Sequence, residues 1–442
     1  MSWHGLTLQQ VPEFWRGIIK VVAWLIALVW VLRTYNVVQM IPQVTDLSMP
    51  DWNVFPEGTP TLTVVVPARD EVEKIAATLD ALLMSDCPGM RILVVDDRST
   101  DGTGAIVDAY VAEYAERLPG KLEAIHITEL PEGWLGKTFA LMVGTDNSRS
   151  DYVLYTDADV LFSPSILRRA MVYAQDADAD HLVVMPTPEI KTRGEGIVLG
   201  FLQVFGLWAS RPWKVDDPRA KRDVVGVGAF NMVRREALNE IGGWLPQRLA
   251  VLEDVTLGRR MKAAGMRQRV AFAPGLVLVH WAKGMRAVVR GMTKNLFSAF
   301  NFQPLLMLVV VVWMVVFFLA PLVGLIWLPT VVPALIVLVC IGAAYRVMGA
   351  ESLIDARYAL LYPAGVVVLI FAMVRSMVVV WVKRGVDWRG THYPLRDLRR
   401  HNSPFIWERA ARKLREEEAD ARRLAQKLAR GRKKRDKRLG KR

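Results

Sequence analysis

Arg91-Ile92-Leu93-Val94-Val95-Asp96-Asp97-Arg98-Ser99-Thr100-Asp101-Gly102-Thr103 changes character halfway along. Residues 91–95 are rich in β-branched side chains and predict a strand. Asp96 to Thr103 is a cluster of carboxylates and hydroxyls, and residues 103–114 then predict a helix. The same strand-into-polar-turn sequence recurs on either side. Residues 62–66 predict a strand that ends in Pro67-Ala68-Arg69-Asp70-Glu71 and feeds a helix over 71–83, with Ile75, Leu79, Leu82 and Leu83 on one side. Residues 122–126 predict a strand, 138–145 a helix, and 152–156 a strand that ends in Asp157-Ala158-Asp159. Strands alternating with helices imply a parallel sheet covered on both faces.

In such a sheet ligands bind beyond the carboxyl ends of the strands. The three polar clusters therefore converge on one edge and crowd carboxylates together, which is unfavourable unless cations or hydrogen-bond donors compensate. An Asp-x-Asp pair on a turn offers hard oxygen ligands to Mg²⁺ or Mn²⁺. No glycine-rich phosphate loop of the Walker or Rossmann kind is present. Phosphates would be handled by metal and isolated cations, with Lys137 of Gly136-Lys137 a candidate. Each signal has a plain alternative: a solvated turn for Asp157-Ala158-Asp159, a helix cap for Asp96-Asp97 with Ser99. Their recurrence at successive strand ends favours a site.

The composition places this domain in a particular setting. The 442 residues carry 57 Lys+Arg against 44 Asp+Glu, a formal charge of +13, and 52% are hydrophobic. Mean hydropathy is +0.22. A disordered or collagen-like chain is excluded. Cys87 and Cys340 lie far apart, so neither a disulfide framework nor a cysteine zinc site is available, as suits a reducing compartment. The charge is local: residues 406–442 hold 16 Lys+Arg and 6 Asp+Glu, leaving +3 for the rest. Trp407 is the only aromatic in this stretch, whereas a nucleic-acid face interleaves aromatics with its basic side chains, so nucleic acid is an unfavoured partner.

The hydrophobicity is local too. Residues 18–32 form an apolar run broken only by Lys20 and flanked by Trp15; 305–347 carry no charge before Arg346; 358–382 are broken only by Arg375. Pro321, Gly324, Pro329 and Pro333 divide the long block, predicting helices near 305–327 and 331–348. The expected organisation is an N-terminal anchor and linker over 1–60, a catalytic domain over 61–285, an amphipathic interfacial helix over 286–303, two or three spans over 304–384, and a basic tail over 385–442, helical through 408–429. Arg286, Arg290 and Lys294 suit a helix in the headgroup plane, with a basic linker helix as the alternative. The tail suits anionic lipid headgroups. Positive-inside logic puts both the domain and the tail on the cytoplasmic side of a multi-pass inner-membrane protein. Three full spans between them would separate them, so either one segment is re-entrant or interfacial, the reading that the attraction of a basic tail to the anionic inner leaflet favours, or the tail is translocated.

Val64-Val65-Val66-Pro67-Ala68-Arg69-Asp70-Glu71, Val94 to Thr103, Thr156-Asp157-Ala158-Asp159 and Leu252-Glu253-Asp254 together resemble the ordered signature of family 2 glycosyltransferases, inverting enzymes of the GT-A fold. Gly133-Trp134-Leu135-Gly136-Lys137, Gly226-x-Gly228, Gly242-Gly243-Trp244 and Trp388-Arg389-Gly390 near Tyr393 are similar to a bacterial membrane branch that includes hopanoid-associated, ceramide-glucosyltransferase-like and carotenoid glycosyltransferases. The resemblance implies an α/β, Rossmann-like nucleotide-diphospho-sugar transferase domain with transmembrane helices. It implies a nucleotide-sugar donor, usually a UDP-sugar, contacted by Pro67, Arg69, Glu71, Asp96, Asp97, Lys137, Asp157 and Glu253. Asp157 and Asp159 would hold Mg²⁺ or Mn²⁺, and Asp254 would be the general base.

Glu253 and Asp254 open a predicted helix, whose N-terminus favours an ionised carboxylate and hence a weak base. Processive members and the eukaryotic ceramide enzymes carry Gln/Arg-x-x-Arg-Trp after that carboxylate. Here residues 290–297 contain no Arg-Trp pair, which points to single-sugar transfer. The acceptor is expected to be a membrane lipid. The greasy segment 197–213 either faces the bilayer or the acceptor, or is core. His280 beside Trp281 is more often structural than a ligand. Rival readings are a polyprenyl-phosphate glycosyltransferase, a polysaccharide synthase, and an inactive scaffold with a recruiting tail.

Overall fold

The computed structural model describes residues 12–401. Eight strands form the main sheet, in the order Thr45–Asp46, Gln268–Phe272, His181–Met185, Asn231–Arg234, Tyr152–Tyr155, Leu62–Ala68, Met90–Asp97, Leu122–Ile127. All pair in parallel except Asn231–Arg234, which runs antiparallel to both neighbours and makes the sheet mixed. Side chains on Leu62–Ala68 and Met90–Asp97 alternate between two apolar layers. Val64, Val66, Ile92 and Val94 enter one; Val65, Leu93 and Val95 enter the other. Full burial on both faces explains the unbroken β-branched runs. The helices Ile75–Leu83, Thr103–Tyr114 and Gly136–Asp146 fall where the spacing puts them, although the first begins four residues later than expected.

Four helices are long and apolar enough to cross a membrane: Glu13–Gln43, Pro304–Gly324, Leu328–Ser352 and Ala356–Val382, the second passing through a π-helical turn at Val315–Leu319. Phe14, Leu305, Val323, Leu328 and Val382 are among the exposed apolar side chains on their surfaces. The Glu13–Met40 helix packs along Leu328–Ser352. Its fully buried Trp30 donates from Nε1 to Phe317 O at 3.0 Å and stacks edge-on against Trp208 and Phe318.

That cluster settles the greasy 197–213 segment as core. The Arg193–Ala209 helix, opened by a capping box between Thr192 and Glu195, buries Phe201, Val204 and Leu207 against the apolar helices. Neither the bilayer nor an acceptor meets that face. His280 Nε2 lies 3.6 Å from the capping carboxylate of Glu195, a structural position.

Two expected boundaries change. The Met285–Ala299 helix does carry Arg286 and Arg290 on an exposed side, but Lys294 turns inward. At 3.6 residues per turn, eight positions leave Lys294 about 80° around the helix from Arg286. Residues 385–401 are not tail. Gly385–Trp388 and Thr391–Pro394 form an antiparallel hairpin followed by the Leu395–His401 helix, and the hairpin docks on the catalytic domain. The helix expected over 408–429 lies outside the described residues. The Tyr362–Val382 helix packs on domain-side helices at both ends. Gly365 lies against Phe201, and the Ser376 hydroxyl accepts from Phe297 N at 3.0 Å.

Candidate active site

The carboxyl ends of Leu62–Ala68, Met90–Asp97 and Tyr152–Tyr155 open into a cavity of about 190 Å³. Pro67, Arg69, Glu71, Asp97, Lys137, Asp157 and Asp159 line it, seven of the side chains the sequence singles out. Asp96 does not. It shares the face of Ile92 and Val94, while Asp97 shares that of Leu93 and Val95, so strand alternation sends the adjacent carboxylates to opposite sides. Asp96 is buried and takes His126 Nδ1 at 3.0 Å; Asp97 faces the cavity, held by Arg98 Nε at 2.7 Å and with Arg69 Nη1 at 3.6 Å.

A second cavity, about 480 Å³, adjoins the first. Lys137, Asp157, Asp159, Lys294 and Trp388 line both. Glu253 and Asp254 line only the second of the two, with a largely apolar wall that includes Val251, Trp281, Val288 and Met292. Glu253 is tied to the first cavity through Lys137, whose Nζ lies 2.5 Å from both Glu253 Oε1 and Asp157 Oδ1. Burial would lower the Lys137 pKa, but Asp157, Glu253 and Asp254 outweigh it and hold the ammonium charged. Burial likewise would raise the Asp157 carboxyl, and Lys137 holds it below the usual range.

Asp254 behaves differently from its sequence expectation. It occupies the first turn of the Glu253–Ala263 helix, where the helix field favours the anion. Burial and then the neighbouring Glu253 charge override that field and push its carboxyl up to about 6. A carboxyl at this value holds a proton more readily near neutral pH than a helix-end carboxylate alone would. Two glycines give the site room: a Cβ on Gly226 would overlap the Asp254 backbone, and one on Gly228 would lie 2.5 Å from Asp157 Oδ2.

Among the described residues no three of His, Cys, Asp and Glu converge to hold an ion by themselves. Asp157 and Asp159 instead offer two hard carboxylates at one cavity, the donor set of a divalent ion that takes its other ligands from phosphate oxygens and water. Each is paired with an ammonium, Asp157 with Lys137 and Asp159 with Lys74 at 2.8 Å, so the negative charge of the carboxylates is compensated at both positions. These residues fit Mg²⁺ or Mn²⁺ accompanied by a diphosphate.

The profile described as glycosyl transferase family 2 matches residues 63–242. Residues 63–242 form a family 2 glycosyltransferase domain. The mixed sheet is of the GT-A kind that the sequence signature implies, and Asp254 and the hairpin lie beyond the matched residues. The chain is 23% identical over 262 residues to the 4,4'-diaponeurosporenoate glycosyltransferase of Staphylococcus aureus, covering 57% of this chain and 65% of that protein. The chain thus spans just under two thirds of the length of the relative it matches. Among solved structures, the mannosyltransferase PcManGT of Pyrobaculum calidifontis, in complex with GDP-Man and Mn²⁺, is 20% identical, covering 81% of this chain and 98% of that one at a TM-score of 0.49. Residues 1–349 of TarS from S. aureus, in complex with UDP-GlcNAc, are 14% identical, covering 75% and 95% at a TM-score of 0.37.

The family 2 domain also receives side chains to which the sequence assigns no part in this site. Arg98 is inside the polar cluster itself. Lys294, Trp388, Arg389 and Tyr393 arrive from before and after the apolar helices. Trp388-Arg389-Gly390 stands out as a motif, but only the fold reveals that it meets Glu71.

Proposed function

We propose that this protein is a membrane-bound inverting glycosyltransferase that moves a single sugar from a nucleotide-sugar, a UDP-hexose by family resemblance, to a hydroxyl of a membrane lipid. The observation that carries this reading is the pair of adjoining cavities, one lined by the family 2 strand ends and the other holding Asp254 against an apolar wall. The first accommodates a nucleoside diphosphate: Arg69, Glu71 and Asp97 present donors and acceptors to the nucleoside, and Lys137 faces the phosphates. Asp157 and Asp159 would hold the Mg²⁺ or Mn²⁺ that, when bound, neutralises diphosphate charge.

The second cavity takes the acceptor. Asp254 accepts the proton of the acceptor hydroxyl as its oxygen attacks C1 of the sugar from the face opposite the diphosphate, which inverts that carbon. Lys137, held by Glu253 and Asp157, fixes the junction at which donor and acceptor meet and so contributes positioning. The apolar wall and the exposed apolar helices support a lipid acceptor, delivered from the inner membrane to a domain on its cytoplasmic side. The missing Arg-Trp pair supports transfer of one sugar rather than a polymer.

The test incubates the purified full chain with a panel of nucleotide sugars and a host lipid extract and identifies products by mass. A lipid gaining one hexose is expected with wild type and none with Asp254→Asn. Equal transfer by Asp254→Asn overturns the base assignment. Equal glycosylation of soluble alcohols without membranes overturns the lipid acceptor.

A further inference from the structure

Five side chains line both cavities, and their charges are not equally committed. Asp157 is paired with Lys137, Asp159 with Lys74, and Lys137 carries Glu253 as well. Lys294 is the exception. Among the ion pairs and hydrogen bonds of the described residues none involves its ammonium, which lies 3.6 Å above the centre of the Trp388 ring. Lys294 stands on the Met285–Ala299 helix, ahead of the apolar helices, and Trp388 on the hairpin that follows them. Burial lowers the Lys294 pKa to about 8, against the opposing pull of Glu253. An ammonium withdrawn from water and resting on an aromatic face is held by a cation–π contact, a weaker partner than a carboxylate or phosphate.

The junction is also where the proposed reaction releases negative charge. The C1–oxygen bond to the diphosphate breaks with its electron pair going to the diphosphate, the bond from the acceptor oxygen to C1 forms, and the acceptor proton goes to Asp254. Lys137 is already shared between two carboxylates, so an additional cation at this point strengthens the interaction as charge develops. We propose that Lys294 is the cation that meets the departing diphosphate, and that Trp388 positions it. This role rests on the glycosyltransferase reading above. Lys294 donates a hydrogen bond and keeps its proton, so the balance of the reaction is unchanged. Because Trp388 belongs to the hairpin, turnover then depends on the hairpin being docked, although the hairpin lies outside the family 2 match.

The test uses the full chain in lipid nanodiscs with Mn²⁺ and measures binding of UDP against UMP and of GDP against GMP, alongside turnover with the sugar donor found active. For the nucleotide that binds, Lys294→Gln is expected to narrow the diphosphate-over-monophosphate preference about tenfold and to lower kcat roughly 10²-fold, with monophosphate affinity within twofold of wild type. Lys294→Arg restores the preference. Trp388→Phe keeps it and Trp388→Leu loses part of it, since only the aromatic face holds the ammonium. A Lys294→Gln chain with preference and kcat within twofold of wild type overturns the proposal, as does an equal loss of both nucleotides. Asp254→Asn separates the two readings, because it abolishes transfer and leaves the diphosphate preference intact. A wild-type chain that transfers no sugar from any donor overturns the glycosyltransferase reading and this role with it.

Discussion

Arg389 Nη2 lies 2.5 Å from Glu71 Oε1, across 318 positions of sequence and on the far side of the apolar helices. The contact restricts how those helices meet a membrane. Glu71 and Arg389 line one cavity, so a chain that crosses a membrane between 303 and 385 would do so an even number of times. Three helices occupy that interval, and Tyr362–Val382 is the one that packs on domain-side helices along its length. Its Arg375 donates to Thr293 Oγ1 of the Met285–Ala299 helix; a charged side chain near the middle of a crossing would cost ~2.5–3.5 kcal/mol or more. We expect this helix to lie at the interface, with Pro304–Gly324 and Leu328–Ser352 crossing outward and back. Cysteines introduced at Asn301, Leu353 and Arg384 should react with an impermeant maleimide from one side, and a cysteine at Ile326 from the other. Labelling of positions 301 and 384 from opposite sides contradicts the arrangement.

The raised Asp254 carboxyl predicts an acid limb in the rate. The base works only when ionised and Lys294 only when protonated, so kcat/KM should rise with pH through about 6 and fall again above about 8. A limb near 4, the range of an ordinary exposed aspartate, would show that burial and Glu253 do not govern this group. Glu253→Gln removes the neighbouring charge and should move the limb to lower pH, which a pH-rate profile resolves directly.

Gly226→Ala tests the close approach that seats Asp254. Its Cβ would meet the Asp254 carbonyl and the Val255 nitrogen, and overpacking of this kind costs ~1–3 kcal/mol or displaces the helix start. Gly226 lines the second cavity and not the first. Transfer should therefore fall by more than about 10²-fold while UDP or GDP affinity stays within twofold. Matched losses of binding and rate would mean that the substitution perturbs the whole domain.

Much of this arrangement was legible before the fold was known. Strand ends carrying Glu71, Asp97, Asp157 and Asp159 could be aligned because a parallel sheet puts all its carboxyl ends on one edge. Asp96 lies away from the first cavity because adjacency in sequence says nothing about face, and alternation separates it from Asp97. Lys294 and Trp388 were illegible as a pair because about ninety residues of apolar helix intervene, and only their packing brings the ends together. Asp254 was seen at a helix start, but the burial that overrides the helix field depends on Gly226, Glu253 and Lys137 meeting in three dimensions.

Asp96 then has a structural task with its own pH signature. His126 donates toward Asp96 Oδ2 at 3.0 Å and toward Asp108 Oδ1 at 2.9 Å, tying the Met90–Asp97 and Leu122–Ile127 strands to the Thr103–Tyr114 helix. Both ring nitrogens face carboxylates, so the protonated ring is favoured and its pKa is raised, first by Asp96 and then by Asp108. A raised histidine stabilises the fold fully below its unfolded value near 6.5 and loses that contribution as pH climbs through the folded value. The side chain is 40% exposed, so screening keeps the effect to ~1 kcal/mol or less. The difference in Tm between wild type and His126→Gln should be largest near pH 6 and shrink steadily toward pH 9. A gap that widens with pH would mean that His126 is held neutral and that Asp96 and Asp108 are stabilised by other partners.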